Sequence, residues 1–331
     1  MFLTEANLFI FNSDLLMNHN HYQFFIMKII IFIIILIGVD QITGRIFNHL
    51  YFRQVAGEYY RATYTIDSTK ADILAFGSSR ACYHYDPDIF EEKLNMSFYN
   101  SGRVGNYLLY NYATFMAVTK RYSPKLIIFD INPDELIYHK SDYEGLATLL
   151  PYYIGHPEMR DIIELRSSAE RFKLYSASYP FNSLLINILV GNLKLSERRQ
   201  SYRKGYLPSY KKMVTSLANN NLKETSGKID EYKVDVINNI VSVCKIKNIR
   251  LLIVCSPIFN NSKESPSYRI IKEIVKNEHM HYLNFSNDSI FDNHPEYFQD
   301  NLHLNDDGAK VYSKIISNDI YKFDFLEQNN L

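Results

Sequence analysis

Residues 72–80 read Asp-Ile-Leu-Ala-Phe-Gly-Ser-Ser-Arg. Asp72–Phe76 is short and apolar without alternation, the signature of a strand buried on both faces. It empties into the polar turn Gly77-Ser78-Ser79-Arg80. The same rhythm recurs downstream. Pro87–Leu94 reads as a helix with Asp86 or Asp88 near its start, Met96–Tyr99 as a strand and Tyr107–Lys120 as a helix. Leu126–Asp130 is a strand, Lys228–Lys247 a helix and Arg250–Val254 a strand. Tyr268–Asn277 is a helix, Tyr282–Phe285 a strand and Asp306–Ile320 the closing helix. Apolar strands alternating with helices predict an α/β protein, a flavodoxin-like three-layer α/β/α sandwich around a five-stranded parallel sheet.

Composition bounds the rest. With 47% hydrophobic residues in 331, the chain can bury a substantial core. Its net charge of zero gives nucleic acid no general electrostatic hold, so none is expected as a partner. Tyr and Phe are abundant and Trp is absent. Such aromatic surface suits both a core and a sugar. Cys82, Cys244 and Cys255 lack the spacing of a structural zinc site and read as buried free thiols.

Phe24–Val39 is apolar except for Lys28, and no polar side chain lies between Ile29 and Val39. Continued toward Phe52, it is long enough for a transmembrane signal anchor over 27–50, since no small-residue cleavage site follows. Lys28 then faces the cytoplasm and the rest lies outside it, whereas Arg45 and Arg53 argue for the reverse. The competing reading is a buried helix of a cytosolic soluble protein. Residues 1–26 are expected to be an extension, 51–70 a Tyr-rich neck, and 71–325 the catalytic domain. Glu135–Gly227 breaks the strand–helix rhythm, is mostly helical in propensity, and carries a basic patch from Lys194 to Lys212. It reads as an insertion or lid over the sheet's carboxyl edge, or as a small separate domain.

In open α/β sheets the reactive crevice lies at the carboxyl ends of the strands. Polar clusters fall at such ends: Ser79, Gly105, Asn132, and Asp300 with His303. A serine needs a base within hydrogen-bond reach, and a His beside a carboxylate is such a base. A tetrahedral intermediate needs donors aimed at its oxyanion, which a backbone N–H beside a glycine and an Asn amide supply. His294 is a rival base without an acid three residues before it. Asp300, His303 and His294 have a spacing that a metal site would also tolerate, and Cys82 with His84 suggests a rival nucleophile that more simply packs. His303 could also be a histidine at a helix start capped by Asp306 or Asp307.

These blocks resemble the SGNH/GDSL hydrolases. Gly77-Ser78-Ser79-Arg80 resembles the first block, with Ser79 as nucleophile and its N–H as an oxyanion donor. Asn100-Ser101-Gly102-Arg103-Val104-Gly105 resembles the second, with Gly105 as backbone donor. Asp130-Ile131-Asn132-Pro133-Asp134 stands where the family has Gly-x-Asn-Asp, with Asn132 as the candidate side-chain donor. Asp300-Asn301-Leu302-His303-Leu304-Asn305 resembles the last block, with His303 as base and Asp300 orienting it. Ser78 occupies the place of the usual first-block Asp. The match is closer to membrane-anchored bacterial members with a GSSR-type first block, which act on acyl groups of cell-surface polysaccharides.

The resemblance implies an extracytoplasmic serine esterase or O-acyltransferase, acting without cofactor or metal, in the periplasm or at the cell surface. Its partners would be an acylated carbohydrate or acyl donor and a membrane acyl-transfer protein. Arg80 would either bind a substrate carboxylate or phosphate, or pair with a local acid. The altered third block keeps open a non-catalytic binding or assembly role in polysaccharide modification.

Overall fold

The computed structural model describes residues 3–194, 202–213, 227–259, 265–278, 280–292 and 294–328. Five parallel strands form one sheet: β1 Ile73–Phe76, β2 Phe98–Asn100, β3 Leu126–Asp130, β4 Arg250–Cys255 and β5 His281–Asn284, in the order β2-β1-β3-β4-β5. This is the doubly wound α/β/α sandwich expected. β1 and β3 are adjacent while the chain leaves them in opposite directions, so the crevice at their carboxyl ends is the topological switch point.

The pleat divides each strand between two cores. Leu74, Phe76, Ile127, Phe129, Leu251 and Ile253 face one layer. That layer is built from the helices Leu108–Arg121, Glu231–Ile246 and Pro266–Asn277. Ile73, Ala75, Ile128, Leu252 and Val254 face the helices Pro87–Leu94 and Asp306–Gln328. β5 lies at the edge and is only half-buried. That is why its bounds were shifted by one residue in a reading built on apolar runs.

The first helix, α1, runs unbroken over Leu3–Phe52. Its segment His21–Phe52 is long and apolar enough to cross a membrane. The last turns do not project freely. Tyr51 is buried and its hydroxyl donates to Tyr152 Oη at 3.3 Å. The stretch expected to be a neck is packed as well. It forms α2 (Gly57–Thr63) and a following turn of π-helix, with Ala62 and Ile66 buried.

The insertion packs onto the same body rather than forming a separate domain: Leu146, Leu149, Tyr152 and Ile163 belong to the first core. Its returning segment lies along β2, where the Asn100 N–H donates to Lys204 O at 2.9 Å and the Leu207 N–H to Cys82 O at 3.0 Å. Two cations in the described part of the basic patch are paired. Arg203 meets Asp86 at 2.6 Å and Asp88 at 2.9 Å, and Lys204 meets Glu91. The remainder, 195–201, lies outside the described residues, as do 214–226 of the insertion and 1–2 of the N-terminal extension.

Candidate active site

The first block turns because Gly77 adopts φ +151°, and a Cβ there would meet Ala81 Cβ and Asp130 O at 2.8 Å. That turn sets Ser79 at the start of α3 (Ser79–His84), half-buried at the carboxyl end of β1. The last block organises itself. One Asp300 carboxylate oxygen accepts the N–H groups of Leu302 (2.9 Å) and His303 (3.0 Å). The His303 Nδ1 sits 2.9 and 3.0 Å from the two carboxylate oxygens. With Nδ1–H donated to Asp300, His303 Nε2 is left as an acceptor, and it lies 2.7 Å from Ser79 Oγ. Hydroxyl, imidazole and carboxylate therefore form a continuous relay. Burial raises the Asp300 carboxyl, but the His303 hydrogen bond and charge and the two backbone donors outweigh it and hold the group below its usual range.

His303 reaches Ser79 although its loop leaves the sheet at β5, three strand spacings or about 14 Å from β1. The return is tied down on the way. The Phe259 N–H donates to Asn301 O at 3.0 Å, and the Leu304 N–H to His84 Nε2 at 2.9 Å. His84 Nδ1 in turn lies 2.9 Å from Ser256 Oγ. An imidazole that accepts at Nε2 carries its proton on Nδ1 and donates to the serine. Full burial, then the Arg80 and His303 charges, keep the His84 pKa well below the usual value, so it stays neutral. The closing helix is capped by Asn305, whose Oδ1 accepts the Gly308 N–H at 3.0 Å, rather than by Asp306 or Asp307.

The second block is held against the first: the Arg103 N–H donates to Gly77 O at 3.1 Å and the Ser101 N–H to Ala75 O at 2.8 Å. Gly105 lies beyond, exposed, at φ +73°. Asn132, in the third block, is buried. Its Oδ1 accepts from Ser78 Oγ (3.3 Å), and its Nδ2 donates to Glu135 Oε2 (2.6 Å). An amide nitrogen carries two hydrogens, and the Glu135 bond uses one. Glu135 also accepts the Asn132 N–H at 2.8 Å and, through Oε1, the Leu108 N–H at 2.7 Å at the start of a core helix. Sequence reading missed Glu135, though Asn-Pro-Asp-Glu has the spacing of a capping box. His294 is paired with Glu296 at 2.7 Å. Cys82 is fully buried.

Arg80 does not face the crevice. It is 2% exposed, pairs with Asp130 at 3.3 Å, and donates to Ser256 O at 3.2 Å and to Ile131 O. Of its two expected roles, the structure shows the local pairing and leaves no surface for a substrate anion. Beside the relay, Tyr83 packs edge-on to the His303 ring, with centroids 5.4 Å apart. Tyr83 also lines a cleft of about 450 Å³ whose other walls include Tyr210, Arg203, Lys211 and Gln299.

No family model matches the sequence, and no curated protein matches it. Similar solved structures include two from Bacteroides. One, provisionally described as an acylhydrolase, is from Bacteroides fragilis NCTC 9343. It has 12% identity and a TM-score of 0.38, with 79% of this chain and 94% of that chain covered. The other is a GDSL-like lipase from Bacteroides thetaiotaomicron VPI-5482, with 10% identity and a TM-score of 0.37, covering 76% and 87%.

Two outcomes follow from the buried charges. Arg80→Ala leaves Asp130 buried without its cation and should cost about 3–5 kcal/mol of stability. Denaturant unfolding reads this, and an unchanged midpoint with a raised KM would instead return Arg80 to substrate binding. Burial pushes the Glu135 carboxyl up to about 7, from 4.5, against its three donors. Between those values the unfolded chain gives up the proton more readily than the folded one. Stability therefore falls as pH rises through this window, by on the order of 3 kcal/mol. Glu135→Gln should flatten that slope in unfolding curves taken across the window, and an identical slope in both proteins contradicts the assignment.

Proposed function

We propose that this chain is a serine esterase or O-acyltransferase of the SGNH type, acting on an acyl ester, acetyl-like in size, of a cell-surface polysaccharide. The observation that carries the reading is the 2.7 Å contact between Ser79 Oγ and His303 Nε2, with Asp300 on the far imidazole nitrogen. That contact joins the first and last of the blocks that carry the family resemblance.

The steps follow from the geometry. Ser79 Oγ attacks the acyl carbon as its proton passes to His303 Nε2, and the imidazolium is stabilised by Asp300. The carbonyl oxygen becomes an oxyanion. Its donors are the Ser79 N–H, the Gly105 N–H and the second Asn132 amide hydrogen. Collapse expels the sugar oxygen, which takes the proton from His303, and leaves an acyl-serine. Water or a second sugar hydroxyl then gives its proton to His303 and attacks the acyl carbon; the acyl–Oγ bond breaks, Ser79 Oγ takes the proton back from His303, and the acid or the transferred ester leaves. The cleft beside Tyr83 and Tyr210 supports a carbohydrate on either side of that step, since aromatic faces and polar walls suit sugars. With α1 as a single-pass anchor, the domain works outside the cytoplasm, receiving acyl groups directly or through a membrane acyl-transfer protein.

The commitment of Asn132 to Glu135 favours one competing reading, a non-catalytic assembly component of the same process. A fluorophosphonate probe separates them. The esterase reading expects covalent labelling of the wild type at Ser79, none in Ser79→Ala, and labelling slowed roughly 10²- to 10⁴-fold in Asp300→Asn. A folded wild type that resists the probe favours the assembly role.

A further inference from the structure

The exposed apolar surface of α1 meets a docked segment at a defined place, although Ile42 and Ile46 remain exposed beyond it. From Tyr22 to Val39 its large side chains are exposed. That stretch, with Lys28 in its first half, rises about 27 Å at about 1.5 Å per residue, close to the roughly 30 Å of a bilayer's hydrocarbon core. At Asp40 the helix becomes docked. The Asp40 carboxylate accepts from Ser176 Oγ (2.7 Å), Ala177 N–H (2.7 Å), Ser178 N–H (3.2 Å) and Ser178 Oγ (2.5 Å). One turn on, a Cβ on Gly44 would meet the Ala177 carbonyl carbon at 2.3 Å, so helix and insertion touch backbone to backbone. A carboxylate at the end of an apolar run is thus satisfied by the insertion itself.

The residues just before this clamp are unlike an ordinary soluble turn. Phe172, on the short helix Glu170–Lys173, is 70% exposed and Tyr175 is 78% exposed. Tyr175 is the chain neighbour of Ser176, and Arg171 and Lys173 are exposed around them. Aromatic rings flanked by cations are the side chains enriched where hydrocarbon meets lipid headgroups. The apolar side of the helix Leu185–Asn192 lies elsewhere. Asn192 bonds to Leu50 O, ten residues or about 15 Å further along α1.

We propose that the turn Phe172–Tyr175 is an interfacial foot, seated in the headgroup layer of the same bilayer that α1 crosses. Together with the Asp40 clamp it fixes the orientation of the domain on the membrane surface. The foot rests on the reading of α1 as a span, and does not depend on the esterase chemistry.

The chain has no Trp, so a single introduced indole reports without background. Full-length Phe172→Trp, Tyr175→Trp, Phe32→Trp within the apolar run, and Tyr321→Trp on the closing helix are each placed in phosphatidylcholine vesicles. Half of the lipid carries bromine near the headgroup end of its acyl chains. The foot predicts that emission is at least halved at positions 172, 175 and 32 and unchanged at 321. Quenching at 32 without quenching at 172 or 175 overturns the foot while keeping the span. Emission untouched at 32 overturns the span and the foot together, and fluorophosphonate labelling of Ser79 remains a separate readout.

Discussion

The candidate site depends on one neutral imidazole that is not part of the relay. His84 ends α3, the helix that begins with Ser79, and its Nε2 receives the backbone N–H of Leu304, the residue after His303. The helix of Ser79 and the loop of His303 are therefore joined by a buried hydrogen bond beside the 2.7 Å contact between those two residues. Protonation of His84 would turn the acceptor into a donor facing a donor. Burial and the nearby Arg80 charge prevent it. The return of about twenty residues from β5 is thereby held in register with a strand three places away in the sheet.

The blocks that line the crevice rest on buried charges solved in different ways. Arg80 pairs with Asp130 beneath the first and third blocks. Glu135 gathers three N–H donors, two from Asn132 and one from a helix start. Arg61, packed against the second block, makes no ion pair among the described residues. It donates to Gly102 O at 2.9 Å and to Gly205 O, with its guanidinium 4.0 Å over the Tyr202 ring. Backbone carbonyls and an aromatic face carry a charge that water would otherwise solvate. These groups fix the backbone of each block, and the half-buried Ser79 and the exposed Gly105 are left to meet a ligand.

Strands β1, β3 and β4 were legible because they are continuous apolar runs closed by polar turns, and their bounds differ from expectation by a residue at most. The closing helix continues to Gln328, eight residues beyond the last periodic apolar position. Ser79, His303 and Asp300 stood out because each follows a strand or shares a local turn. Arg80 could not be assigned from sequence: its partner Asp130 is fifty residues away, and a guanidinium after a serine looks the same whether it faces a crevice or a core. Glu135 was hidden for a different reason. It was counted as the first residue of the insertion, although its contacts belong to Asn132. The burial within 51–70 and the insertion was not legible because polar, Tyr-rich chain can still be buried when its hydroxyls find partners, as Tyr51, Thr63 and Tyr152 do for one another.

Between α1 and β1 the chain has no slack. The helix runs unbroken to Phe52, and α2 and the π-turn carry it against the core to Ser68. Such a domain has no tether to swing on. Ser79 keeps one distance and one heading relative to the axis of α1, and whatever reacts there must come to that station.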